Sequence, residues 1–421
     1  MKASYEMQYN NMENLKPKDI ELKEYQESEP IPLDPVDVDY LKGLKGVDLH
    51  ERRHGYILKA KQFVGVIQLS KLRIIIKPKI GINNLFYMYE FANYLEKEDP
   101  FKDRETALLS DKDFFEFMVA HFLKKLERLF RSGIYKSYEL KEENLQYVKG
   151  RILHKENLKY NLILKHRVYC QYSDLTTDNL ENRIIKYTLY LLGQRTKNKT
   201  SQFRILNIYS HIGEVKLDFG INLEYFKKVH YTRLNQNYKP ILTICKLFIE
   251  NLTVCEYVGK YQFWSFLINM DKLFEKFVIA LLKRELKGCT IIIKTNKSIK
   301  CRSGKIHKNI TIVPDALIKC PNKTVVDTVV DMKYKKALTT KSGHEILRTT
   351  DFYQIFTYAN AYNCNGILIY PKYEDKELDE YYNLQDTCIR ILTIDLTAKD
   401  LEEFKENCKD FVHQIKMHHL L

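Results

Sequence analysis

The sequence is marked first by what it lacks. Its nine Cys (170, 245, 255, 289, 301, 320, 364, 388 and 408) include no C-x-x-C pair, so the spacing of a structural zinc site is missing. Their odd number and scatter fit reduced thiols in a cytosol. The twelve His form no H-E-x-x-H or H-x-H cluster, and the adjacent His418 and His419 read as part of a solvated tail. The longest apolar runs, such as FVIALL at 277–282, fall far below the roughly 20 residues needed to cross a bilayer. The opening MKASYEMQYNNMENLK has no apolar core of a secretory signal, so a soluble, cytoplasmic protein with no membrane partner is expected. There is no G-x-x-x-x-G-K-[ST]: neither Gly259-Lys260 nor Ser303-Gly304-Lys305 has the upstream Gly of a phosphate loop, so this chain is expected to bind no nucleotide itself. No repeat of 20–50 residues and no low-complexity linker is present.

What remains is globular composition: 421 residues, 45% hydrophobic and 29% charged. At about 100–200 residues per domain, two or three domains are expected. The formal net charge is +14, unevenly spread. Residues 1–40 carry −6 and the rest +20. A basic excess of that size favours a polyanionic partner, most often nucleic acid, although a Lys-rich, Asn-rich composition produces such a surplus without one.

The patterning predicts an α+β multidomain protein. Residues 1–48 read as an acidic leader, with Pro at 17, 30, 32 and 35 and room for one edge strand in IELKEYQESEPIPL. Residues 49–110 read as a β-rich N-terminal domain. There FVGVIQL (63–69) and LRIIIKPKI (72–80) form a hairpin about Ser70-Lys71, followed by a helix over 84–98. Residues 111–261 read as a helical middle region, with helices over 111–133 and from Thr177 or Asp178 to Leu192, and more helix in 222–251. Within it, Asp178, Asn179, Asn182 and Arg183 look like a helix cap and an ion pair. Residues 262–421 read as an α/β domain. NMDKLFEKFVIALLKRELKG is an amphipathic helix closed by Gly288, and strands follow at 289–296, 310–319 and 324–335, the last two joined by a turn at Cys320-Pro321-Asn322-Lys323. A helix over 351–363, strands at 366–373 and 389–396, and a helix from about Ala398 complete it.

The chemistry sits in that last domain. Asp315 follows Pro314 in an otherwise apolar strand, and Asp331 lies mid-strand in TVVDTVVDMKYK. With a side-chain period of two, Asp331 and Lys333 share a face, and a hairpin brings Asp315 beside them. Carboxylates on strands this apolar are costly to bury unless paired or bound to metal. Two carboxylates with a Lys in reach suit a hard divalent cation, usually Mg²⁺, able to polarise a phosphodiester. An isolated D-x-K is more commonly a solvent-face pair; the set of P-D, a spacer, and D-x-K on a second strand raises the signal. Glu275 in LFEKF is a candidate third carboxylate, or an exposed helical acid. Gln354 in DFYQIFTYA can hydrogen-bond an attacking water or a phosphate, with Tyr358 one turn on. Lys335 continues the face of Asp331 and Lys333 towards phosphate. Asp327 lies on the same face and competes with Asp331, ranked lower because no Lys follows two residues later.

The order LFEKF, VPDALI, VVDMKYKKA, DFYQIFTYANAY resembles the PD-(D/E)XK nuclease fold. More narrowly, with GYILKAKQFVGVIQLSKLRIIIKPKIG, VKGRI (148–152) and CQYSDLTTDNLENRIIKYTLYLL (170–192), it resembles the McrC family, the nuclease subunit of modification-dependent McrBC restriction systems. The resemblance runs from about Gly55 to Tyr373; the first 45 residues lie outside it. It implies a Mg²⁺-dependent endonuclease cutting double-stranded DNA under a separate AAA+ GTPase that reads modified cytosine and is itself stimulated by the nuclease. It also implies catalytic roles for Asp315, Asp331 and Lys333, with Glu275 as the upstream helical acid, Gln354 as the following helical Gln, and Asp315, Asp331 and Glu275 as metal ligands. The N-terminal half is implied to dock on the GTPase; segment 55–80 and Lys124, Lys125, Arg128 and Arg131 are candidates. Cutting both strands needs two active sites, so a homodimer within the assembly is expected. A stand-alone restriction or repair nuclease, and a mainly non-catalytic activator of the GTPase, are the alternatives.

Overall fold

The computed structural model describes residues 18–93, 113–163, 166–253, 256–258, 261–299, 310–320, 327–341, 344–372, 377–384 and 386–419. The chain divides into two compact units, one drawn from residues 1–114 and 253–421 and the other from residues 115–252.

In the first unit the expected hairpin forms. Strand Phe63–Gln68 pairs antiparallel with Leu72–Lys77, and Leu69 N–H closes the turn on Leu72 C=O. The hairpin is the middle of a five-stranded sheet. On one side lies Tyr261–Asn269, a strand absent from the sequence reading, antiparallel to Phe63–Gln68. Segments 200 positions apart therefore share one sheet, and no unit boundary falls at 262 as the sequence suggested. Gly65 makes the close approach possible: its φ of 143° lies outside the L-residue range, and a Cβ there would overlap the Phe266 carbonyl.

On the other side, Lys18–Lys23 is the edge strand expected within the leader, parallel to Leu72–Lys77. Here the leader's acidity finds partners: Glu21 pairs with Lys77 at 2.6 Å, Glu27 with Lys59 at 2.9 Å and Asp34 with Lys71 at 2.9 Å. Asp37 accepts from Ser70 N–H and hydroxyl at 3.0 and 2.9 Å. Exposed pairs like the first three are worth little each. Only the first joins the two paired strands; the other two tie the chain after the edge strand to Lys59 and to the hairpin turn. Segment 55–80, a candidate docking surface, is largely internal: Leu58, Val64, Val66, Ile67, Ile74 and Ile76 are core.

The second sheet of this unit has six strands. Its spatial order is Thr290–Ile293, Ala316–Lys319, Thr328–Met332, Asn365–Pro371, Thr387–Ile394, Asp379–Leu384. Thr328–Met332 pairs antiparallel with Ala316–Lys319 and parallel with Asn365–Pro371. The central strands are almost wholly buried and, Asp331 apart, mostly apolar, as parallel pairing with helices on the sheet requires. The stretch 310–319, expected as one strand, breaks into Ile310–Ile312 and Ala316–Lys319, each with a different partner. Pro314 has no N–H to donate, and Asp315 turns its carboxylate to a neighbouring backbone instead. Asp379–Leu384 was not legible because DEYYNL is exposed along its whole length and carries no apolar alternation. Residues 321–323 of the expected turn, 324–326, and 94–98 of the expected helix end lie outside the described residues.

Helix Met270–Glu285 starts at an Asn269 cap whose side chain accepts from Lys272 N–H, and buries Leu273, Phe274, Phe277, Val278, Leu281 and Leu282. Helix Thr349–Tyr362 lays Ile355 and Ala359 against Leu317, Val329, Leu368 and Ile389, and ends at Asn363 with φ 52°. The C-terminal helix is Leu401–His419.

The second unit is mixed rather than helical alone. Helices Phe114–Arg131 (its first residue assigned to the other unit), His154–Asn161, Leu180–Gly193, Lys199–His211 and Lys239–Asn251 accompany a three-stranded sheet of Ser137–Leu145, Val168–Thr176 and Arg151–Ile152. YELKEENL is too polar to read as a strand, and more than half of Ser137–Leu145 is exposed. The helix expected from Thr177 or Asp178 is capped one residue later, by Asn179 accepting from Asn182 N–H at 3.0 Å. Asn182 donates to Tyr135 and Thr177 carbonyls, and Arg183 holds Asp178 through two bonds of 2.7 and 2.9 Å. That group is structural, as the sequence suggested. On Phe114–Arg131, Arg128 and Arg131 are exposed and Lys125 is buried. Among the described residues no helix is long and apolar enough to cross a membrane.

Gly65→Ala tests the joint between the two distant strands. It is expected to destabilise the protein by about 3 kcal/mol or more, since backbone must move. A shift of the urea midpoint at constant slope measures it.

Candidate active site

The site is built where strand Thr328–Met332 leaves the six-stranded sheet. Asp331 is 2% exposed, with apolar neighbours on both sides along the strand. Ala316 is registered against Val330, so Asp315 stands opposite Asp331 across the antiparallel pair. Asp315 Oδ2 accepts from Met332 N–H at 2.7 Å, which fixes the strand break beside the central strand. Lys333 N–H still donates to Ile369 C=O at 2.9 Å, so its backbone continues the sheet edge. Its Nζ returns to Asp331 Oδ2 at 2.8 Å. The sequence expectation that Asp315, Asp331 and Lys333 converge is met in this geometry.

The electrostatics follow from burial. Desolvation first, then the charge of Asp315, pushes the Asp331 carboxyl up to about 6, against the pull of Lys333. Asp315 is raised by the same burial, opposed by the Met332 N–H and Lys333. Burial lowers the Lys333 ammonium's pKa, but the adjacent charges of Asp331 and Asp315 outweigh it, so the net shift is upward. Lys333 is therefore held protonated between two carboxylates, a source of positive charge rather than a free base.

Glu275, half-buried on helix Met270–Glu285, is raised by burial and by repulsion from Asp315, so it shares that field. Asp271, one turn earlier on the same helix face, is also raised by burial, with Lys333 and Lys335 pulling it back. Among the described residues no three His, Cys, Asp or Glu side chains stand close enough to form a ready cage for a metal ion. The donor set that does converge is the Asp315 and Asp331 pair, two mutually repelling oxygen donors in a desolvated setting. Those are hard ligands of the kind Mg²⁺ takes in ones and twos, keeping waters and substrate oxygens for its other positions.

The remaining candidates are placed on helix Thr349–Tyr362 and the loop before it. Gln354 Nε2 donates to Tyr358 Oη at 2.9 Å; these two side chains are joined to each other. Lys335 is held by Asp351, Nζ to Oδ1 2.8 Å, and Tyr370 hydroxyl donates to Asp351 Oδ2 at 2.8 Å. Asp351 is buried and was missed by the sequence reading. Its signal was available: an acid in the first turn of DFYQIFTYA, one turn before Gln354. Asp327, the competitor of Asp331, accepts from Cys320 N–H at 2.7 Å at the far end of the strand, four residues from the site.

Fold and site together define a class: a mixed α/β protein with paired acids and a Lys on adjacent strands. The profile of the family described as "McrBC 5-methylcytosine restriction system component" matches residues 58–371, and the chain belongs to that family, as a McrC-type component of a restriction system. The type IV methyl-directed restriction enzyme EcoKMcrBC of Escherichia coli (strain K12) is 25% identical over 342 residues, spanning 76% of this chain and 94% of that protein. The fold is also that of a chain in the refined half-complex from a tetradecameric assembly of Thermococcus gammatolerans McrB AAA+ hexamers with bound McrC. The two share 18% identity and a TM-score of 0.66, covering 94% of this chain and 100% of that one.

Because folding raises Asp331 above its unfolded value, its ionisation is penalised in the native state. The penalty is absent below about pH 4 and full above about pH 6, so this group makes stability fall as pH rises through that window. Asp331→Asn is expected to stabilise the protein by about 1–2 kcal/mol at pH 8 without divalent cation, and to have no such effect at pH 4. Urea unfolding at the two pH values checks this.

Proposed function

We propose that this chain is the Mg²⁺-dependent endonuclease subunit of a modified-cytosine-directed restriction system, a PD-(D/E)XK nuclease in mechanism. The observation that carries the proposal is the convergence of Asp315, Asp331 and Lys333 where the central strand leaves the sheet. A Mg²⁺ ion held by Asp315 and Asp331, with Glu275 near enough to add charge, would polarise the phosphodiester and acidify an attacking water. Lys333 is held protonated and desolvated, so it stabilises the negative charge that builds on the phosphate. Gln354, whose amide donates to Tyr358 Oη, would orient water or a phosphate oxygen. Lys335 reaches DNA backbone only by giving up or sharing its bond to Asp351, so its role is to order the site first and to meet phosphate second.

The domain reading follows. Residues 262–421 supply the chemistry, and the N-terminal half, whose residues 41–261 carry a formal charge of +15, serves DNA and partner contacts. The partner is an AAA+ GTPase of the McrB type, which this chain stimulates and which recognises the modified base. Double-strand cutting brings two copies of this chain together in the cytoplasm.

Purified chain, partner, GTP, Mg²⁺ and methylated or unmethylated plasmid form the test. Cleavage is expected only with modification, GTP and partner together; cutting by the chain alone would favour a stand-alone nuclease. Asp331→Ala is expected to lower cleavage by at least about a thousandfold while GTPase stimulation persists. Unchanged cutting would remove Asp331 from the site. Gln354→Ala is expected to cut about ten- to a hundredfold more slowly with partner binding retained.

A further inference from the structure

The leader contains a buried acid that the mechanism above does not use. Glu24 follows the edge strand Lys18–Lys23 and is 3% exposed. It is turned inward by a tight reversal: Glu24 N–H donates to Lys77 C=O at 3.2 Å, Gln26 N–H to Lys23 C=O at 3.0 Å, and Lys23 N–H to Gln26 Oε1 at 2.8 Å. Tyr25 takes φ 63° at the apex, a conformation an L-aromatic residue adopts at a cost. Lys79 Nζ lies 4.4 Å over the Tyr25 ring and steadies that geometry.

The target of Glu24 is Tyr334. The Tyr334 hydroxyl points at Glu24 Oε1 at 3.5 Å, the outer limit of a hydrogen bond, across 310 positions of sequence. Tyr334 is buried, and its ring packs 5.7 Å from Phe274, the residue before Glu275. It is also the residue between Lys333 and Lys335. In this stretch the chain has left the ladder, and Lys335 N–H folds back on Lys333 C=O at 2.9 Å. Both lysines are committed to buried acids, Asp331 and Asp351. Burial pushes the Glu24 carboxyl up to about 8, against the charge and N–H of Lys79, so near neutral pH it sits mostly as the uncharged acid.

We propose that Glu24 is a positioning residue of the nuclease site: through Tyr334 it fixes the loop that presents Lys333 and Lys335, so the acidic leader completes the active site. This rests on the nuclease reading above. A strand-terminal acid, a strained turn and a buried Tyr between two site lysines form one continuous support. A misplacement of that loop by an ångström costs rate rather than binding, since Lys333 acts on charge that develops only in the transition state.

The test uses the full chain with partner, GTP, Mg²⁺ and modified plasmid. Glu24→Ala is expected to lower the cleavage rate by about ten- to a hundredfold with little change in the half-saturating DNA concentration. Glu24→Gln, matching the neutral carboxyl in shape, is expected to restore most of the loss. Tyr334→Phe is expected to lose rate as Glu24→Ala does, with no further loss in the double variant. Hydrogen exchange of the amides over 333–337 in the free chain is expected to be faster in Glu24→Ala at an unchanged melting midpoint. Cleavage by Glu24→Ala at the wild-type rate, or unchanged exchange over 333–337, overturns the proposal. If the wild-type chain itself fails to cut, the nuclease reading falls and the exchange measurement alone decides the positioning.

Discussion

Two carboxylates, Asp315 and Asp331, face each other across an antiparallel pair of strands whose neighbours are almost all apolar. Water is largely excluded, and each acid raises the cost of ionising the other. Much of what surrounds them answers that cost. Met332 gives a backbone N–H to one, Lys333 brings an ammonium to the other, and the strand carrying Asp315 breaks at Pro314 so that the carboxylate can turn in. Positive charge beside the pair offsets that repulsion, as the Lys333 ammonium does.

The support for this pair reaches far along the chain. Helix Met270–Glu285 contributes Glu275 and Asp271 and packs Phe274 against Tyr334. Helix Thr349–Tyr362 contributes Asp351, which holds Lys335 and Tyr370 together. Strand Tyr261–Asn269, which leads directly into the first of these helices, is hydrogen-bonded to Phe63–Gln68, and Gly65 lets the two backbones meet. The N-terminal sheet is thus continuous in structure with the element that carries the acids. Through the leader's pairing with Leu72–Lys77, Glu24 is brought to the same place.

The acidic leader and the basic body, which look like opposed blocks in sequence, are matched partners in space. Glu21, Glu27 and Asp34 sit on Lys77, Lys59 and Lys71, and Asp37 caps Ser70. These contacts use up part of the basic surplus of segment 55–80, whose apolar residues are core in any case. Part of the contrast of charge along the chain is therefore met by contacts within this one unit.

Local pattern carried the site acids, the Lys, the hairpin about Ser70-Lys71, the edge strand of the leader and the helices that bear Glu275 and Gln354. Each depends on spacing within a dozen residues: a period of two on a strand, 3–4 on a helix, a Pro that ends a ladder. Three things depended on the fold. Glu24 is an ordinary surface-type acid in sequence and Asp351 a first-turn helical acid, and both become buried only when a partner from elsewhere closes over them. Polar strands such as Ser137–Leu145 and Asp379–Leu384 exist because a neighbour supplies their hydrogen bonds, not because their own residues demand a sheet. The joining of Phe63–Gln68 to Tyr261–Asn269 pairs groups about 200 residues apart, and no short-range signal encodes which distant edge a strand will meet.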